Sequence, residues 1–169
     1  LLHVPLFING GPFEKTPNDD LVQLIDLPPT ILDVLDIEAP DAREQFQGIS
    51  FHPDAEDIRE FAVAEYMTPQ PSMGALENRV GDLPDSVYTY DRSLRSIRTH
   101  EYKYIRGSDG SQQLYDLASD PHENANLADT HPDVIADFDT KLNDWIYSFE
   151  HADPSSEVRM ADDTKSRLE

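Results

Sequence analysis

Six apolar side chains near the end of the chain, Ile135, Phe138, Leu142, Trp145, Ile146 and Phe149, recur at helical spacing and share one face of a single long helix. A helix with one apolar stripe needs another layer to cover it. The segments just upstream offer a sheet. SLRSIRTHEYKYIRG reads as a β-hairpin, with Ile97 before the corner Thr99-His100-Glu101 and Tyr102 and Tyr104 after it. QQLYDL continues as a strand beyond the turn Ser108-Asp109-Gly110, and FAVAEYM, Phe61 to Met67, reads as an earlier one. The pattern predicts an antiparallel sheet of about four strands packed on the C-terminal helix, an α+β unit.

The residues before this unit have a different character. LLHVPLFING is an apolar run closed by Gly10-Gly11-Pro12 and reads as a buried strand. Such a strand needs neighbours on both sides, so a chain opening on it is expected to be a fragment. In LIDLPPTILDVLDI, Pro28-Pro29 introduces a helix bearing Ile31, Leu32 and Leu35, with Asp26 placed to cap its first turn. A polar loop with a turn at Gly48 follows. These features place a boundary near residue 58, separating 1–58 from 59–150, and 151–169 read as an acidic tail. Residues 68–91 hold Pro69, Pro71, Gly74, Gly81 and Pro84 and read as a long irregular excursion. Asp120-Pro121-His122-Glu123 has the pattern of a helix start, and Thr130-His131-Pro132-Asp133 repeats it.

Charge narrows the partners. Thirteen Lys and Arg stand against 34 Asp and Glu, a net charge of -21, with lysine only at Lys15, Lys103, Lys141 and Lys165. Such a field repels nucleic acid and anionic membranes, so neither is expected as a partner. Acidity joined to scarce lysine points to a salt-rich setting, a soluble protein in the cytoplasm of a halophile, although localisation is not fixed by these residues. No apolar run is long enough to span a bilayer.

No set of residues in the chain makes a complete active site. With no cysteine there is no thiol nucleophile and no thiolate metal site. Ser50, His52 and Asp54 are close in sequence but lack a nucleophile elbow. The six histidines are scattered without zinc spacing, and Asp19-Asp20 and Asp162-Asp163 do not fit a calcium loop. Catalytic and metal residues are therefore assigned to none. Arg98 and Lys103, flanking the hairpin corner, are candidates for contact with an anion, against the simpler reading of ion pairs with acids such as Asp116.

The stretch LYDLASDPHENANLA, with Tyr115, Asp116, Asp120, Pro121, Glu123 and Asn126, resembles the "LYDL-x-x-DP-x-E-x-x-NL" signature near the C-terminus of the sulfatase family. RSLRSIRTHEYKYI resembles the hairpin before it, LIDLPPTILDVLDI a helix further upstream, QGISF the turn after that helix, and HVPLFI a sheet strand. The resemblance implies the C-terminal portion of a sulfatase with an alkaline-phosphatase-like α/β fold, in which 1–58 would end the large α/β domain and 59–150 form the smaller α+β one. Joined to the acidity, it points to a haloarchaeal type. It also implies a mechanism in which a formylglycine, made from Cys or Ser in a Cys/Ser-x-Pro-x-Arg motif, attacks sulfur beside a divalent cation, usually calcium. That motif is absent here, since Ser119-Asp120-Pro121-His122-Glu123 has Glu where Arg is required. Tyr115, Asp116, Asp120, Pro121, Glu123 and Asn126 are thus expected to be scaffold, and the chain to be inactive alone and to partner the upstream part of the sulfatase domain. Two alternatives remain: a phosphodiester or phosphonate hydrolase of the same superfamily, and a non-catalytic module that dimerises through the exposed N-terminal strand.

Overall fold

The computed structural model describes residues 4–148. A single 3₁₀ turn, Leu24–Asp26, leads into α1, Leu27–Val34, with Pro28 and Pro29 in its first turn, where their missing amides cost nothing. The short α2, Pro40–Arg43, follows. β1, Ala62–Tyr66, opens the sheet, and α3, Met73–Val80, and α4, Asp85–Tyr88, occupy the excursion. β2, Leu94–Arg98, β3, Tyr102–Gly107, and β4, Gln112–Asp116, complete the strands, and α5, Pro132–Tyr147, ends the described chain.

The sheet is an antiparallel meander in the order β1-β2-β3-β4. Its register aligns Val63, Ile97, Tyr104 and Leu114 in one row across all four strands. This row is buried against Ile135, Phe138 and Leu142 of α5 and forms the core. Alternation then sends the next row, Ala62, Arg98, Lys103 and Tyr115, to the opposite face. Tyr104 is fully buried, yet its hydroxyl donates to Asp139 Oδ1 at 2.8 Å. Burial, reinforced by that carboxylate, pushes its pKa up to about 12.

Several sequence expectations change. Residues 4–9 form no strand and lie exposed, because all four strands of the sheet come from residues 62–116 and offer this run no partner. A dimer built on that strand therefore has no strand behind it among the described residues. The excursion is not wholly irregular: Ser72 Oγ accepts from Ala75 N at 3.3 Å and starts α3. Asp120 does not start a helix. Its carboxylate takes the amides of Asn124 and Ala125 at 2.6 and 2.8 Å, and Glu123 adopts a left-handed φ of 56°, which ends any helical turn. The second start does open α5, with Pro132 in its first turn and His131 as a cap whose side chain makes no capping bond. Phe149 and the acidic tail 151–169 lie outside the described residues.

Candidate functional site

Asp26 is the most deeply buried carboxylate described, at 2% exposure. It makes no side-chain cap bond to α1. Instead it accepts from Gln23 N at 2.7 Å, from Ile49 N at 2.8 Å and from Arg59 Nε at 2.9 Å, and Arg59 Nη2 closes a second bond to Oδ1. The pair is bidentate, the geometry a guanidinium fork favours. Gly48 lets the loop come this near, since a Cβ there would collide with the Ile25 carbonyl. Arg59 Nη1 also donates to Gln23 Oε1 at 2.8 Å, and Gln23 Nε2 donates to Val63 O at 2.6 Å. The α1 region is thus bonded to the outer edge of β1 through one amide side chain.

The other edge of the sheet is closed in the same way. Asn126 Oδ1 accepts from Leu114 N at 2.9 Å, Asn126 Nδ2 donates to Gln112 O at 3.3 Å, and Leu127 N reaches Leu114 O at 2.8 Å. An open strand edge invites pairing with another chain, and a covered one does not. Asp116 Oδ1 shapes the turn leading there by accepting from Ala118 and Ser119 amides, each at 3.0 Å. The Ser119 amide holds the Asp116 carboxyl below the usual range, and the Ala125 amide does so for Asp120. Both groups favour the fold while ionised, so their contribution is complete above about pH 4 and is lost as pH falls toward their lowered pKa values. Asp120→Asn should flatten the loss of stability as pH falls below about 4, read by urea unfolding at each pH. An unchanged slope would remove Asp120 from the acid response.

The candidate anion contacts separate. Lys103 Nζ is bonded to Glu123 Oε2 at 2.6 Å, not to Asp116. The Arg98 side chain has no hydrogen bond or ion pair among the described residues. The hydrogen bonds that join Ser50, His52 and Asp54 to one another run through backbone amides: His52 N donates to Ser50 Oγ at 3.2 Å and Asp54 N to His52 Nδ1 at 3.1 Å. The Ser50 hydroxyl is instead the chief cause of a lowered Asp33 pKa, with Arg43 adding to it. Among the described residues no three His, Asp or Glu side chains gather closely enough to hold a metal ion, so the described donors do not fit the calcium site that the resemblance implies. No helix among them is long and apolar enough to cross a membrane. Sequence reasoning named the signature residues but missed Gln23, Arg59 and Ile49, whose partnership with Asp26 leaves no local pattern.

A four-stranded meander backed by one long helix, tied to a preceding helical segment with Leu24, Ile31 and Leu35 exposed, is a mixed α/β arrangement. No family model matches the chain. Arylsulfatase K of Bos taurus is 31% identical over 148 residues, which is 85% of this chain and 25% of that protein. A solved 2-O GAG sulfatase superposes with a TM-score of 0.54 at 24% identity, over 76% of this chain and 27% of its own. The phosphonate monoester hydrolase of Agrobacterium radiobacter superposes with a TM-score of 0.52 at 25% identity, over 73% of this chain and 24% of its own. By sequence and fold the chain corresponds to the C-terminal portion of a sulfatase. It spans about a quarter of the length of the curated relatives it matches.

Proposed function

We propose that this chain is the C-terminal portion of a sulfuric ester hydrolase and is inactive by itself. The observation that carries this is the match to arylsulfatase K over 85% of the chain but 25% of that protein, joined to a sequence without cysteine or the formylglycine motif. Its role is that of a scaffold for the upstream domain. In support, Phe7, Ile58, Leu24, Leu35 and Ile31 are at least half exposed, an apolar supply larger than isolated surface residues explain. The upstream part of the sulfatase domain, carrying nucleophile and calcium, seats on that surface. Residues 1–58 belong with it, and 59–150 form the smaller unit, whose 68–91 excursion borders the substrate cleft. The net charge of -21 supports a salt-rich cytoplasm as the setting.

The test is the intact mass of the native protein with peptide mapping upstream of Leu1, followed by aryl sulfate hydrolysis by the native protein and by this chain. A longer polypeptide with a formylglycine peptide, active where this chain is not, is the expected result. A native protein that begins at Leu1 would overturn the reading. The fold shared with a phosphonate monoester hydrolase favours one second reading, hydrolysis of a phosphonate or phosphate ester. Paired rates on an aryl sulfate and a phenyl phosphonate ester separate the two.

A further inference from the structure

The cations on the strands do not share one fate. Arg95 Nε donates to Glu65 Oε1 at 2.7 Å, Arg106 Nη1 to Asp139 Oδ1 at 3.0 Å, and Lys103 Nζ to Glu123 Oε2 at 2.6 Å. Arg98 is partly buried on β2, and its side chain pairs with nothing among the described residues. Withdrawing a guanidinium from water without a partner costs free energy. Carboxylates are not in short supply, with 34 in the chain. An arginine without a partner among so many described carboxylates is therefore a group whose partner comes from outside the described residues.

Register fixes its setting. Ile97 packs toward α5, so Arg98 lies on the opposite face, in the row Ala62, Arg98, Lys103, Tyr115. Ala62 on one side is too small to cover the guanidinium, and Lys103 on the other sets a second positive charge beside it. Glu123 reaches Lys103 from a backbone with φ of 56°, a conformation that a non-glycine residue holds only where its surroundings demand it. Lys103 is thereby anchored, while the side-chain donors of Arg98 meet no acceptor among the described residues.

We propose that Arg98, with Lys103 beside it, is an oxyanion seat on the sheet face turned away from α5, taking a group whose oxygens match the guanidinium fork. The same chemistry has two sources, a free sulfate or phosphate ion and a polypeptide carboxylate outside the described residues. The site stands apart from the hydrolase reading, because anion binding by this chain requires no activity.

The test follows the arginine Nε–Hε signals of the full 169-residue chain by NMR at constant ionic strength. Sodium sulfate, sodium phosphate and sodium acetate are titrated separately against sodium chloride. The Arg98 signal should move and saturate while those of Arg95 and Arg106 stay in place, and Arg98→Gln should abolish the response with the remaining amide spectrum intact. Glu123→Gln, which releases Lys103, should tighten binding about fivefold, the effect of one charge at contact distance in water. Saturation by sulfate or phosphate below acetate assigns the seat to a tetrahedral ion, and the reverse order to a polypeptide carboxylate. The proposal is overturned if no anion moves the Arg98 signal beyond that of Arg95, or if Arg98→Gln leaves the titration unchanged.

Discussion

Arg59→Leu should destabilise the chain by about 3–5 kcal/mol, the loss seen when one partner of a buried ion pair is removed. The magnitude follows from the Asp26 left behind. Its side chain is 2% exposed and Arg59's is 9%, so water does not replace the guanidinium. Asp26 would keep the amides of Gln23 and Ile49 but lose both charge-assisted bonds. Gln23 would lose the donor that orients its amide against Val63, so the junction between α1 and β1 weakens as well. Against a total stability of about 5–15 kcal/mol this is a large share, and for a chain at the low end it leaves part of the population unfolded at room temperature. Urea unfolding followed by circular dichroism measures the change. A loss below about 1 kcal/mol, the range of exposed pairs, would mean that the pair is open to solvent and does not hold the junction. The cycle with Asp26→Leu separates the two contributions, since the double variant removes the stranded charge and should be less destabilised than the sum of the singles.

That junction also marks where sequence reasoning stops. The meander and α5 were legible because periodicity is local: each strand alternates and α5 repeats its apolar face within its own residues. The signature residues stood out through resemblance, yet the bonds they make did not. Asn126 closes the β4 edge twelve residues from Leu114, and Gln23 closes the β1 edge forty residues from Val63, distances at which an amide side chain gives no pattern. Asp26 was read as a helix cap because position suggests capping, whereas Arg59, 33 residues away, decides its role. The run from Val4 to Ile8 reads as a strand whether or not its neighbours are present, and here the sheet gives it none. Arg98 and Lys103 could be paired in register from the hairpin alone, but which of them found a carboxylate depended on the unusual backbone of Glu123.

Phe138→Ala should cost about 3–5 kcal/mol, as large-to-small changes at buried aromatics do. Phe138 is 4% exposed and joins α5 to the sheet. Its ring stacks on Tyr104 with centroids 6.3 Å apart and meets Tyr102 edge-on at 6.3 Å, so the truncation removes two aromatic pairs as well as buried area. The cavity would open directly over Tyr104, whose hydroxyl is fixed by Asp139 and by Gln112 Nε2 at 2.7 Å and cannot swing to fill it. Partial collapse is therefore blocked from the sheet side, which puts the cost at the upper part of the range. Phe138→Leu keeps most of the volume and should cost less than half as much. Thermal and urea unfolding of both variants give the comparison. Equal losses would show that ring geometry and not volume holds α5 in place. A loss below about 1 kcal/mol for the alanine variant would mean that Ile135, Leu142 and the bonds to Asp139 hold α5 to the sheet without the Phe138 ring.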